Sequence, residues 1–374
     1  MTSRYIGLLV AAFTAVALGC SAAATAADII VGQSAPLTGG NAELGNDIRN
    51  GALAYFKKVN EAGGVSGNKI KLITLDDKND AKISGENAKQ LIQKDGAVAL
   101  FGFASSTLSV PAMPSVMAAK VPFFAPFTGA DAIRKQNEYV YTIRVTYAEE
   151  IEKLISFWAP LGITKIAVLH YDDAIGNQNF ATAAAVLAKY NKQPIAIPIK
   201  RNVALTSQAV NAIIAANPQL ILATTLYAPI TELVKQLNAA KKPFSITSLS
   251  FAGASQIAKA LGPDAGGITV ALTVPVPNQL QYPVVRECSD AWRAAGQSDA
   301  MSVTALEACI AAKVLVDGMR KAGKEITRES LQRSLSALGR VDTGGVIVAF
   351  KPGFRHGGTF VDIAVIRLNG ELRG

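Results

Sequence analysis

Lys165-Ile166-Ala167-Val168-Leu169-His170-Tyr171-Asp172-Asp173 is an apolar run of strand length that ends in two carboxylates, and an amphipathic, helix-length segment at 176–190 follows it. The alternation continues with a strand at 195–199, a helix at 206–216, a strand at 220–224, a helix at 230–240 and a strand at 245–249. Strands that are apolar without interruption have no solvent face, as in a parallel sheet covered by helices on both sides. Towards the N-terminus the same rhythm gives strands at 29–34, 70–75, 98–103 and 121–125. Between the first two lies a helix whose Ile48, Ala52, Tyr55, Phe56 and Val59 share one face, and a second helix spans 81–95. Two such series predict an α/β fold of two doubly wound, Rossmann-like lobes. Beyond residue 274 the rhythm breaks. Three helices, at 282–295, 301–321 and 328–338, come with no strand between them, and strands at 346–350 and 362–368 close the chain. The chain is therefore expected to re-cross between the lobes and leave both discontinuous.

The 374 residues carry 37 Lys+Arg against 28 Asp+Glu, a formal charge of +9. The length suits two domains and a core that needs no disulfide staples. With 31 Gly and 16 Pro, usage is ordinary, which excludes collagen-like and low-complexity chains. Two His leave little scope for His-based metal or triad chemistry. The positive charge permits nucleic acid or acidic membrane as partners without requiring either.

Arg4 precedes an apolar run at 6–18, and small residues lead to Ala24-Thr25-Ala26, the layout of an export signal over residues 1–26. The run is shorter than the roughly 20 residues that span a bilayer. Leu18-Gly19-Cys20 offers a competing lipid-attachment site, but Ala17 stands where a large aliphatic residue is usual, so soluble export to the periplasm is the preferred reading. An exported binder would not meet nucleic acid, and none is expected as a partner. Export also implies an oxidising compartment, in which Cys288 and Cys309 either pair or remain two buried thiols.

In open parallel sheets, ligands bind beyond the carboxyl ends of the strands. Those positions hold Ser105, Ser106 and Thr107 after Gly102, and Phe127, Thr128 and Gly129 after Pro126. They also hold Tyr171, Asp172, Asp173 and Gly176 after His170, and Thr225 and Tyr227 after Thr224. Hydroxyls and free N–H groups at a helix start suit a carboxylate. Tyr and Phe at the other mouths suit an apolar body with a polar tip. One isolated Ser is better explained as a helix cap, so it is the convergence of several loops that marks a site. The sequence has no phosphate-binding Gly-x-x-x-x-Gly-Lys-Ser/Thr loop, no Gly-x-Gly-x-x-Gly after the first strand and no Gly-x-Ser-x-Gly elbow. His170 and His356 lack metal-ligand spacing, and Asp76-Asp77 and Asp172-Asp173 read as turn caps. An exported two-lobed chain of this kind reads as a binder without a cofactor, not an enzyme.

Several short motifs occur in a fixed order: Ile30-Val31-Gly32-Gln33-Ser34-Ala35-Pro36-Leu37-Thr38-Gly39, Gly45 with Gly51-Ala52, Asn60-Glu61-Ala62-Gly63-Gly64-Val65-Ser66-Gly67, Leu75-Asp76-Asp77, and Gly102 with Ser105-Ser106. Together they resemble the type I periplasmic binding proteins of the leucine/isoleucine/valine branch, the substrate-binding components of ABC importers, over essentially the whole mature chain. The resemblance implies two lobes, 27–145 plus 275–344 and 146–274 plus 345–374, joined by three crossovers near 145–146, 270–274 and 345–350. It implies a ligand held in the cleft, and permease subunits of the inner membrane as partners. Ser105 or Ser106 and Thr128, with the Phe127 backbone, would hold the ligand's α-carboxylate; Tyr227 would close on it, with Tyr147 beside the first crossover.

The sequence departs from that pattern at three places. Leu44 and Ile175 stand where aromatic residues are usual, and the loop Ser248-Leu249-Ser250-Phe251 lacks the acid that would meet an ammonium. Asp172, Asp173 and Glu43 are the available substitutes. Burying an unpaired ammonium costs several kcal/mol. The expected ligand is therefore a small hydrophobic carboxylate: a branched-chain amino acid, or an aromatic or keto acid. A ligand sensor serving a signalling partner is the alternative role.

Overall fold

The computed structural model describes residues 28–39, 41–135 and 138–374, together with Met1. Apart from Met1, the leader assigned to residues 1–26, with Cys20, lies outside the described residues. Strands Ile70–Asp76, Ile29–Ala35, Ala99–Phe101, Phe123–Phe124 and Val140–Tyr141 form, in that spatial order, a parallel sheet. A second sheet runs Leu372–Arg373, Asp362–Ile366, Thr269–Leu272, Ile246–Ser248, Leu220–Thr224, Ile166–Tyr171, Ile195–Ile199. Its last five strands are parallel and the two C-terminal ones antiparallel. This is the doubly wound α/β architecture expected from the alternation.

The strand Ile166–Tyr171 shows why the pattern was legible. It has a partner on each edge, and all its residues are buried. Ala167, Leu169 and Tyr171 enter one core while Ile166 and Val168 enter another, the period of two that a strand imposes.

The first helix, Ala42–Glu61, buries the stripe containing Ile48, Ala52, Tyr55, Phe56 and Val59. It packs on Val303–Ala322, a helix buried around most of its circumference, as central helices are. The two backbones approach so closely at Gly51 that a Cβ there would lie 2.1 Å from the Ala305 carbonyl oxygen. Only glycine fits. Helices Pro283–Ala294 and Arg328–Ser336 pack beside them, so the strandless stretch after residue 274 builds onto the first-sheet half. Cys288 and Cys309 form a disulfide between two of these helices, which settles the pairing left open by the sequence.

Two of the differences from the sequence reading bear on how the chain passes between the sheets. A helix at Tyr147–Trp158, opened by a Thr146/Glu149 capping box, was not foreseen; its Ile151, Leu154 and Ile155 pack on the second sheet. The third crossing, expected at 345–350, lies later. Ile347–Phe350 instead pairs with Gly339–Asp342 in a hairpin, and Phe350 packs edge-on against Phe124 and Tyr141 of the first sheet. The next residues stay there: the Thr142 N–H donates to the Arg355 carbonyl and the Gly357 N–H to the Thr142 carbonyl. The chain rejoins the second sheet only at Asp362, opposite Leu272. Burial of Phe350 holds it on the earlier side.

Candidate ligand site

Residues that follow the carboxyl ends of strands in both sheets line one cavity, the cleft. Strand Ala99–Phe101 leads through Gly102, at φ +62°, to Ser105, whose Oγ accepts the Leu108 N–H at 3.3 Å. Strand Phe123–Phe124 leads through Ala125, a non-glycine residue held at φ 48°, a strained backbone of the kind that collects at functional sites. That turn lets the Phe127 N–H reach the Phe103 carbonyl and sets Thr128 behind Ser106.

The hydroxyls there have an order that can be worked out. Thr128 Oγ1 accepts from the Ala130 N–H at 3.0 Å and from the Tyr147 hydroxyl at 3.2 Å. Burial pushes the Tyr147 pKa up, so that hydroxyl keeps its proton. With both lone pairs taken, Thr128 gives its own proton to Ser106 Oγ, 2.6 Å away. The Ser106 proton is then available to the Tyr147 oxygen, which lies within its reach, or to an acceptor brought into the cavity beside Ser105.

Ser105, Ser106, Tyr147 and Ile175 line the cavity, joined from the second-sheet side by Tyr171, Asn179, Arg201, Leu226 and Phe251. The space enclosed is about 10 Å³, roughly what one water needs. Other expected residues lie just behind it. Thr128 is fully buried and acts through Ser106. Phe127 and Leu44 belong to a small apolar cluster with Ile48 and Leu226. Tyr227 opens the helix Tyr227–Ala239 and is half-buried. Its hydroxyl is pushed up by burial and by the Glu43 carboxylate, while its neighbour Leu226 faces the cavity. Ser250 turns away from the cavity into a polar cluster.

That cluster sits where the chain passes between the halves. Arg144 makes a two-pronged ion pair with Glu307 and donates to Ser250 Oγ at 3.1 Å. Glu150 accepts from the Ser250 N–H at 2.7 Å and its hydroxyl at 2.9 Å, and Thr273 donates to Glu307 at 3.3 Å. Burial pushes Glu150 up, with Arg144 opposing.

The sequence reading missed Asn179 and Arg201. Arg201 follows the strand Ile195–Ile199, so the strand-end rule applied there could have found it; Asn179 lies one helical turn past Gly176. The Arg201 guanidinium lies 3.7 Å from the Tyr171 ring centroid. Its Nε and Nη2 both reach Asp173 Oδ2, at 2.9 and 2.8 Å. Asn179 Nδ2 is buried with no partner. Among the described residues no group of His, Cys, Asp and Glu could hold a metal ion, and no helix is long and apolar enough to cross a membrane.

The two halves also touch around the cleft. The Gln256 amide donates to Asp47 at 2.8 Å, Lys259 pairs with Glu43 at 2.9 Å, and Asn79 donates to Asn202 at 2.9 Å. Burial raises the Asp47 pKa to about 6, with Glu43 adding to the rise.

Solved structures share this fold. A possible leucine/isoleucine/valine-binding protein from Rhodopirellula baltica superimposes with a TM-score of 0.89 at 26% identity, covering 93% of this chain and 97% of that one. A substrate-binding periplasmic protein from Ralstonia solanacearum gives 0.87 at 30% identity, over 92% and 99%. An amino acid binding protein of Pseudomonas aeruginosa is 37% identical over 106 residues; the match spans only 28% of that relative's length. The sequence profile of the periplasmic binding proteins matches residues 28–370, and the chain belongs to that family, one of binding proteins rather than enzymes.

Proposed function

We propose that the chain is the extracytoplasmic substrate-binding component of an ABC importer. It works in the periplasm and captures a branched-chain or other hydrophobic amino acid, or a related small carboxylate, by closure of two lobes. The observation that supports this best is the hydroxyl relay. Thr128, accepting from Ala130 and Tyr147, gives its proton to Ser106 and leaves the Ser106 hydroxyl as a donor at the cavity beside Ser105, an arrangement suited to a carboxylate. The names of the relatives in Rhodopirellula baltica and Pseudomonas aeruginosa favour an amino-acid-sized ligand.

In this reading one lobe comprises 27–145 with the helices and hairpin after residue 275, and the other comprises 146–274 with the strands from 362 onward. A cavity of about 10 Å³ is too small for any amino acid, so the ligand enters with the lobes apart. The ligand first meets Ser105 and Ser106, then gains Tyr171, Leu226 and Phe251 as the lobes close. Only contacts made in the closed form shift the population towards it. Permease subunits of the inner membrane would then recognise the closed outline. Calorimetry of Ser105→Ala against leucine, valine and 2-oxoisocaproate tests the assignment. The wild-type chain is expected to bind at least one of them, and the variant to bind it roughly tenfold more weakly or worse, the effect of losing a hydrogen bond to a charged group. Equal binding by both would remove the basis of the proposal.

A further inference from the structure

The second-sheet wall of the cleft has a chemistry of its own. None of the residues lining the cavity carries a carboxylate. Every acid near enough to be considered for an ammonium is engaged elsewhere or outside the wall. Asp173 caps the Gly176 N–H at 2.9 Å and pairs with Arg201, while Glu43 pairs with Lys259. Glu150 is bonded twice to Ser250, and Asp172 is exposed to solvent away from the cavity. Donors, by contrast, are in surplus. Asn179, 3% exposed, lines the cavity and leaves its Nδ2 buried without a partner. The Arg201 guanidinium uses Nε and Nη2 on a single oxygen of Asp173, which leaves Nη1 outside that pair, and stacking on Tyr171 holds its plane in place. A buried donor without a partner is costly and rare in folded proteins, which points to an acceptor that arrives with the ligand.

We infer that Asn179 and Arg201 form a specificity subsite for an oxygen acceptor. The ligand is then a small carboxylic acid that carries a second oxygen function, a keto, hydroxyl or carboxylate group, where an amino acid carries its ammonium. This rests on the cleft being the ligand site and narrows what it takes. Arg201 supplies a planar donor fixed by Asp173 and Tyr171 and has no acceptor to offer, so an oxygen gains a hydrogen bond from it where an ammonium gains none.

The test is calorimetric titration of the full mature chain with leucine, 2-oxoisocaproate, 2-hydroxyisocaproate, succinate and 4-methylpentanoate. At least one of the three acids with a second oxygen function is expected to bind tenfold or more tightly than both leucine and 4-methylpentanoate. Asn179→Leu is expected to shrink that ratio below threefold. Asn179→Asp, which puts a carboxylate in the subsite, is expected to raise leucine affinity at least fivefold, a gain that misfolding cannot produce. Leucine binding tightest to the wild-type chain, or ratios unmoved by both Asn179 variants, would overturn the inference while leaving the cleft assignment intact. Absence of binding by all five acids would overturn both together.

Discussion

Two buried polar clusters lie side by side at the junction of the halves, and they are finished differently. In the Ser106–Thr128–Tyr147 cluster each hydroxyl bonds the next, and Ser106 and Tyr147 also line the cavity, so a ligand there can take over the proton that Ser106 offers to Tyr147. In the Arg144–Glu307–Glu150–Ser250 cluster the charges close on one another, with Thr273 joining from the strand-end side. A polar group buried for structure has its partners within the fold, whereas one buried for recognition keeps a donor or acceptor in reserve. The first cluster should therefore govern affinity and the second should govern stability.

The largest expected effect comes from opening the closed cluster. Glu307→Gln removes the ion-pair partner in direct contact with the buried Arg144 guanidinium and leaves Glu150, reached through Ser250, as the nearest remaining carboxylate, which should cost about 3–5 kcal/mol of stability in urea unfolding. A change below about 1 kcal/mol would show that water reaches Arg144 and that the cluster is less closed than its geometry indicates. Away from both clusters, replacing Cys288 and Cys309 by Ser removes a cross-link between residues 21 apart in sequence. The expected loss is about 3 kcal/mol, with ligand affinity preserved, and it calibrates what a purely structural change does.

Thr128→Val breaks the open cluster instead. It frees the Ser106 proton to turn away from the cleft, and affinity for the tightest-binding acid should fall by about 1.5–3 kcal/mol, roughly 10- to 100-fold. Its stability loss should be smaller than that of Glu307→Gln; the reverse order would erase the distinction between the clusters.

The pH dependence of stability should be smaller again. Asp47 and Asp77 are both raised by burial from 3.8 to about 6, so the folded chain holds their protons more tightly than the unfolded one. Their contribution is fully present below about pH 4 and is lost as pH rises through 6. Asp47 faces Gln256 and Ser302, with Glu43, Asp299 and Lys259 nearby, and Asp47→Asn should flatten the melting temperature between pH 4 and pH 7. An unchanged slope would remove Asp47 from that account. The smallest effect is expected at the exposed pair between the halves: Lys259→Ala should alter affinity by less than about 1 kcal/mol.

Long elements were readable in the sequence because burial writes itself into their periodicity. Ile166–Tyr171, buried throughout, and Ala42–Glu61, with its single stripe, had unambiguous patterns. The strand expected at 121–125 is realised as Phe123–Phe124, whereas Val140–Tyr141, also only two residues long, is too short to carry a period and is defined by its neighbour in the sheet. The helix Tyr147–Trp158 had a readable start in Thr146 and Glu149 that was passed over. The third crossing was displaced because Phe350 fills the space between Phe124 and Tyr141, a long-range fit without a local signal. At the site, strand-end reasoning pointed to Ser105, Ser106 and Tyr171 and the family resemblance to Tyr147 and Ile175, and all five line the cavity. Arg201 was missed because an arginine after a strand reads as surface charge until Tyr171 and Asp173 are seen to hold it. Asn179 looked like any helical amide until its burial was known.

The Ser106 hydroxyl, held by Thr128 and Tyr147, is the group expected to receive the carboxylate of a small acid in the cleft. Calorimetric titration of the wild-type chain and Ser106→Ala, with leucine and 2-oxoisocaproate in parallel, tests it most directly. One site per chain is expected, with a tenfold or greater loss of affinity in Ser106→Ala for whichever acid binds. Affinities equal within twofold for the two proteins would contradict it.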